Sequence, residues 1–263
     1  MKSQTAQSAR RTPRHDMRAI LGDFLTSFVP RRAQGFWIYL DRYSDIWKSG
    51  VHEPMHTRIV RTSLGAGMQA VDVGANIGYF TLLMRKAVGR TGHIYAFEPD
   101  PRNLGKIRKS VKLNGFGGNV TLEQDAVADT SGRLRFRFQT DSPGTNHIDK
   151  DGAEEVRVVS LDDYFRGRDS TCIDFVKIDT EGADPLVFKG MRNLIRSNPH
   201  LKLTTEFWPD GMRRLGLDAG DYVRMLKDES FRIFTIDDRM GTFTSALPDE
   251  EKGIVTLFCE RDS

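Results

Sequence analysis

The stretch Val71-Asp72-Val73-Gly74-Ala75-Asn76-Ile77-Gly78-Tyr79-Phe80 runs from an apolar strand through a glycine turn into a helix. In an open α/β sheet this is the junction that builds a nucleotide-binding crevice. Gly74 lets the chain leave the strand with a backbone conformation that most residues avoid, and Gly78 lets the helix pack against the sheet. A ligand at this turn approaches bare backbone.

The spacing separates this turn from the dinucleotide fingerprint. Gly-x-Gly-x-x-Gly aims a helix N-terminus at a pyrophosphate. Here Asp72 stands two residues before Gly74, and the next glycine is Gly78. An acid at the turn repels a pyrophosphate but suits an ammonium group, such as the amino acid end of S-adenosylmethionine. His93-Ile94-Tyr95-Ala96-Phe97-Glu98 then reads as a buried strand whose final carboxylate is placed to accept hydrogen bonds from two ribose hydroxyls. Pro99 and Pro101 stop that strand and start a helix over residues 101–114. After the strand Val120-Thr121-Leu122-Glu123, Asp125 is positioned for an adenine amine and Ala126 for the ring edge. Three successive strand ends address amino acid, ribose and base.

These motifs resemble those of the FkbM-type S-adenosylmethionine-dependent methyltransferases. The resemblance rests on the glycine turn, on Phe97-Glu98-Pro99, on Asp125-Ala126-Val127 and on Val176-Lys177-Ile178-Asp179-Thr180-Glu181-Gly182, and spans roughly residues 49–206. It implies a Rossmann-like class I methyltransferase fold: an α/β domain with a mostly parallel seven-stranded sheet, an antiparallel edge and helices on both faces. It implies S-adenosyl-L-methionine as cofactor, held by Glu53, Asp72, Gly74, Asn76, Gly78, Glu98, Asp125 and Ala126. Glu53-Pro54 is similar to the family's Glu-Pro segment, which suggests Glu53 for the methionine end.

Transfer from a sulfonium is an in-line displacement, so the protein must chiefly align the acceptor and handle its proton. A carboxylate or histidine can take that proton, or a divalent cation can lower the hydroxyl pKa. Asp179, Glu181 and Glu206, at the ends of the fourth and fifth strands, are the candidate catalytic groups, with His56 and His147 as side chains that could reach in. A cation stays undecided. The competing reading is that Asp179 or Glu181 caps the helix starting near Asp184-Pro185. Enzymes that methylate base amines resemble one another in an Asn- or Asp-Pro-Pro-aromatic segment at the fourth strand, and Asp179-Thr180-Glu181-Gly182 has neither proline nor aromatic there. Oxygen is therefore the better acceptor atom, and the resemblance points to a hydroxyl of a sugar, a glycosylated compound or a polyketide-like small molecule. A cofactor-binding protein without turnover and a nicotinamide-dependent reductase remain the alternatives.

The 263 residues, 38% of them hydrophobic, suit one sizeable α/β domain with a small appendage. With 39 basic and 36 acidic residues the charge nearly balances, so no nucleic-acid partner is expected. Residues 1–15 carry Lys2, Arg10, Arg11 and Arg14 and no acid, and read as a disordered basic arm. Residues 16–60 read as a helical appendage; within it, 17–29 has the apolar spacing of an amphipathic helix that packs on its own domain or on a second subunit. The methyltransferase domain then occupies 61–263, with a lid-like insertion over 139–154. No run approaches the ~20 apolar residues of a membrane span, and Cys172 and Cys259 read as core thiols of a cytoplasmic protein.

Overall fold

The structure, a computed structural model, describes residues 29–40, 44, 46–138, 147–149, 151–167, 172–249, 251 and 253–261. The basic arm, all but the last residue of the expected 17–29 helix, and residues 139–146 and 150 of the expected lid lie outside the described residues. Strands β1 (Pro30–Ala33) and β2 (Phe36–Tyr39) form a hairpin across Gln34 and Gly35, both at positive φ, 46° and 82°. Such a two-residue turn matches the twist of paired strands. The hairpin corrects the helical appendage expected over 16–60. Phe36, Ile38 and Leu40 alternate inward, a period of two that belongs to a strand. Helices α1 (Ile46–Ser49) and α2 (Pro54–Ser63) complete this part.

The glycine turn joins β3 (Gln69–Val73) to α3 (Tyr79–Val88). It is followed by β4 (His93–Phe97), α4 (Pro101–Leu113) and β5 (Val120–Glu123). Pro101 opens α4 and the Asp100 carboxylate accepts the Arg102 N–H at 2.8 Å, so the helix begins where its cap and proline dictate. A second sheet comes next: β6 (Ala126–Val127), β7 (Gly132–Arg137), β8 (His147–Ile148) and β9 (Glu154–Val159), in the order β6-β9-β7-β8. The chain returns through α5 (Leu161–Phe165), β10 (Phe175–Ile178), α6 (Asp184–Lys189), α7 (Arg192–Ser197) and β11 (Lys202–Phe207). The helix expected to start near Asp184-Pro185 ends before Gly190, where a Cβ would lie 2.2 Å from the Ala128 carbonyl oxygen, and α7 follows as a second helix. Helices α8 (Pro209–Arg214) and α9 (Ala219–Asp228) precede β12 (Arg232–Asp237), β13 (Thr242–Thr244) and β14 (Val255–Glu260).

The main sheet runs β13-β12-β14-β11-β10-β3-β4-β5. Its five strands from β11 to β5 pair in parallel, so their carboxyl ends share one edge. Eight strands replace the seven expected, because a turn at Gly241, φ 65°, folds β13 back onto β12. The expected antiparallel edge is β13, and a second antiparallel strand, β14, is inserted between β11 and β12.

Alternation along the strands sorts the core into two layers. Val71, Val73, Val176, Ile178 and Leu203 face one side, packed with α5 to α9; Ala70, Phe175, Ile94 and Ala96 face the other, with the hairpin, α2, α3 and α4. Cys259 is buried in the first layer, whereas Cys172 is exposed, which corrects its reading as a core thiol: it lies in the approach to β10, outside the apolar run. Among the described residues no helix is long and apolar enough to cross a membrane.

Candidate active site

The parallel strands deliver their ends into a cavity of about 610 Å³, open to solvent on one side. Gly74, Asn76, Glu98, Asp125, Ala126, Asp179 and Glu181, all expected site residues, line it, and Phe136 and Ile148 of the second sheet close it above. At the end of β4 the Glu98 carboxylate accepts the Asn76 N–H at 2.8 Å and the Asp100 N–H at 2.9 Å. The Asn103 side chain donates a third bond, which leaves about one acceptor position of the carboxylate open. Burial dominates its charge state: although both N–H groups favour the anion, the carboxyl is raised to about 8. Asp125 is engaged by Arg157 of β9, whose Nε and Nη2 donate at 2.5 and 2.6 Å, so its carboxylate is held in a fork that the sequence reading did not foresee. Its pKa is raised by burial, against the pull of Arg157.

Gly74 takes the positive φ expected of it, 73°, and a Cβ there would also stand 1.9 Å from the Asp179 carbonyl oxygen, where β10's exit crosses the turn. A Cβ on Gly78 would meet Ile107 of α4 at 2.9 Å; what needs the space is a neighbouring helix and not the sheet, and Gly78 is not in the cavity wall.

Asp72 is also beneath the cavity wall and not in it. Register places Ala96, Asp72, Lys177, Thr204 and Phe258 in one row across five strands. Lys177, 2% exposed, sits at its centre with Nζ 3.2 Å from Asp179 Oδ2, 3.6 Å from Asp72 Oδ1 and 5.2 Å from the centre of the Phe80 ring. Asp72 Oδ2 accepts the Thr81 hydroxyl at 2.5 Å. The acid expected to face an ammonium on the ligand therefore faces the ammonium of Lys177. Burial would lower the Lys177 pKa, but Asp179, Asp72 and Glu53 together outweigh it and raise it.

At the β10 exit, Glu181 and Gly182 both take positive φ, 55° and 94°. This tight turn exists because a Cβ at Gly182 would strike the backbone of Gly211 at 2.4 Å. Neither Asp179 nor Glu181 caps α6. The fully buried Asp184 ties the turn instead, accepting the Thr180 hydroxyl at 3.0 Å, the Thr205 hydroxyl at 3.0 Å and the Glu206 N–H at 3.2 Å. Burial first, then the neighbouring Asp179, raises Asp184 to about 6; burial with Asp179 and Asp184 raises Glu181 to about 8. Glu206 is raised well above the carboxylate range by burial and by Asp179, Asp184, Glu181 and Glu53.

Glu53 and Glu206 do not line the first cavity. They line a second, of about 830 Å³, together with His52, Ile236, Arg239 and Ile254 among others. Glu53, at φ 43°, precedes α2 but makes no cap bond; Asp238 caps that helix by accepting the Met55 and His56 N–H groups at 2.6 and 3.2 Å. The Glu53 carboxylate is thereby left to His56, whose Nδ1 lies 2.9 Å away and whose Nε2 lies 3.1 Å from the Thr204 hydroxyl. Burial would raise Glu53, but the His56 bond and the charges of His52, His56 and Lys177 hold it at about 2. His56 is buried behind Glu53, and His147 sits in β8 opposite Arg137 while its neighbour Ile148 faces the first cavity; neither lines either cavity. Among the described residues, no group of three or more His, Cys, Asp or Glu is arranged to hold a metal ion.

The family model for the methyltransferase FkbM domain matches residues 72–233, more than half of the chain. The chain belongs to the FkbM methyltransferase family. It is 26% identical over 127 residues to the hexuronic acid methyltransferase AglP of Haloferax volcanii, an alignment covering 48% of this chain and 51% of that protein. Over 185 residues it is 25% identical to the 2-O-methyltransferase NoeI of Sinorhizobium fredii, covering 60% of this chain and 73% of the relative. It is 25% identical over 163 residues to the methyltransferase sdnD of Sordaria araneosa, covering 59% and 54%. The chain thus spans about half the length of two of these three relatives. A solved structure described as an rRNA-methylase from Clostridium thermocellum superposes with a TM-score of 0.51 at 11% identity, over 80% of this chain and 96% of the other, and shares the fold alone. The fold is the Rossmann-like class I methyltransferase fold.

In this FkbM chain the matched span contains every residue of the first cavity wall but only Glu206 of the second. Sequence reading missed Lys177, Asp184, Arg157 and Asp238. Lys177 carried a signal, a lone lysine in an apolar strand inside the most family-specific motif; the others each act through a partner 21 to 183 positions away.

Proposed function

We propose that this chain is an S-adenosyl-L-methionine-dependent O-methyltransferase acting on a hydroxyl of a sugar or a glycosylated small molecule. The single observation that carries the reading is Glu98: a buried carboxylate in the wall of the first cavity, fixed at a strand end by two backbone N–H groups and the Asn103 side chain. That arrangement fits a vicinal diol. Asp125, squared by Arg157, would accept from an adenine amine, and Ala126, Phe136 and Ile148 would sandwich the ring. Asp179 and Glu181 line the same cavity, and Asp179 is oriented by Lys177.

When bound, the cofactor supplies a methyl group on a positive sulfur, whose departure as a neutral thioether drives the transfer. The chain's residues then have two tasks. One of Asp179, Glu181 and Glu206 takes the hydroxyl proton as the carbon–oxygen bond forms; burial raises Glu181 to about 8, near the range where a carboxylate is an effective base, and raises Glu206 well above its ordinary value. The fixed charges of Lys177 and Glu53 spare the site any reorganisation. The names of AglP and NoeI support oxygen of a sugar-type acceptor. The test is to incubate the protein with methyl-labelled S-adenosylmethionine and a glycan and glycoside library. Label in an alkali-stable methyl ether is the expected result; label only in amines or esters, or none, would overturn the reading.

A further inference from the structure

The second cavity shares no lining residue with the first. The two cavities adjoin at the carboxylate cluster: Asp179 and Glu181 line the first, Glu53 and Glu206 line the second, and Glu206 feels the charges of the other three. Its space, counted together with its open mouth, is about 830 Å³. Its polar groups are mostly acceptors. Asp237 and Asp238 spend their carboxylates on backbone N–H groups of Arg239, Met240, Met55 and His56, while Glu206 Oε2 is buried without a hydrogen-bond partner. A buried unpartnered oxygen is costly unless a ligand donates to it. Ile236 and Ile254 give the same cavity an apolar wall.

We propose that this second cavity receives the acceptor, and that it selects a neutral polyhydroxylated ring over an anionic one, with Glu53 and Glu206 accepting its hydroxyls and Ile236 and Ile254 packing on its C–H face. The inference rests on the methyl-transfer reading and adds the place and charge class of the substrate. Four carboxylic side chains line the cavity against Arg239 and His52, and His52 already lies 3.7 Å from Glu53, so a carboxylate on the ligand meets repulsion without a dedicated partner.

The test is saturation-transfer NMR on the full-length protein saturated with S-adenosylhomocysteine. The probes are the methyl glycosides of glucose, galactose, mannose, rhamnose and fucose, and those of glucuronate and galacturonate. Transfer to at least one neutral glycoside is expected, with the matching uronate at least about tenfold weaker. Ile254→Trp, at a partly exposed position that tolerates bulk, should abolish the glycoside signal and leave S-adenosylhomocysteine affinity unchanged; Glu206→Ala should weaken the glycoside in the same way. Uronates bound as well as neutral glycosides, no glycoside bound at all, or glycoside binding indifferent to Ile254→Trp would overturn the proposal. If S-adenosylhomocysteine itself fails to bind the unaltered protein, the cofactor reading fails instead.

Discussion

Glu98 concentrates the chemistry of the first cavity in one side chain. With its carboxyl raised to about 8 by burial, it is mostly protonated at neutral pH, whereas two hydroxyl donors favour the anion. Ligand binding must then expel a proton. S-Adenosylhomocysteine affinity should rise from about pH 6 to about pH 9, and near neutrality calorimetry in buffers of different ionisation enthalpy should show proton release that Glu98→Gln abolishes. Binding heats independent of the buffer would remove Glu98 from the site. Lys177 is the second decisive residue. Removing its charge leaves Asp72 and Asp179 uncompensated, so Lys177→Met should cost about 3–5 kcal/mol in urea unfolding, with part of the loss recovered when Asp72→Asn is added. Glu98 was legible in the sequence because a strand, a carboxylate and a proline stand in one short run. Lys177's partners were not, because strand register alone brings Asp72 beside it from 105 positions away.

Among the elements, the turns after β3 and β10 are one unit. Gly74→Ala places a methyl against the Asp179 carbonyl and adds the strain of a positive φ, so the loss of stability should exceed the ~1–2 kcal/mol of the backbone term alone. Gly105, inside α4 with open space around it, is the internal contrast: Gly105→Ala should stabilise by about 0.5–1 kcal/mol. Thermal unfolding of the pair checks both; equal effects would show that the crossing at Gly74 is not tight. Helix α2 and its cap come from opposite ends of the chain, and Asp238→Ala should cost about 0.5–2 kcal/mol while loosening Glu53. The β-α-β core was readable from apolar runs ending at glycine, proline or acid. The hairpin of β1 and β2 was missed because four-residue strands carry too few alternations to stand out from the amphipathic stretch before them, and β13 because its three exposed residues show no apolar period at all.

For the whole molecule, the carboxylates at the sheet edge set how stability depends on pH. Glu98 and Glu181, at about 8, and Asp184, at about 6, bind protons more tightly folded than unfolded, so their contribution is fullest below about pH 4.5 and declines as pH rises to about 8. Glu53, held at about 2, acts oppositely: its contribution is present above about pH 4.5 and is lost as pH falls toward 2. Melting temperature should therefore peak in mildly acidic buffer and decline toward pH 8.5 or so, and Glu181→Gln should flatten that decline. A steady rise from pH 5 to about pH 8 would contradict this charge distribution.

Stability lost at the sheet edge is what a site of buried acids around one lysine requires, and the account stands on what binds there. Isothermal calorimetry of S-adenosylhomocysteine with the unaltered protein and with Glu98→Ala tests it most directly. The prediction is saturable binding to the former and a loss of about 10- to 100-fold in the latter. No binding to the unaltered protein, or the same affinity in both, would contradict it.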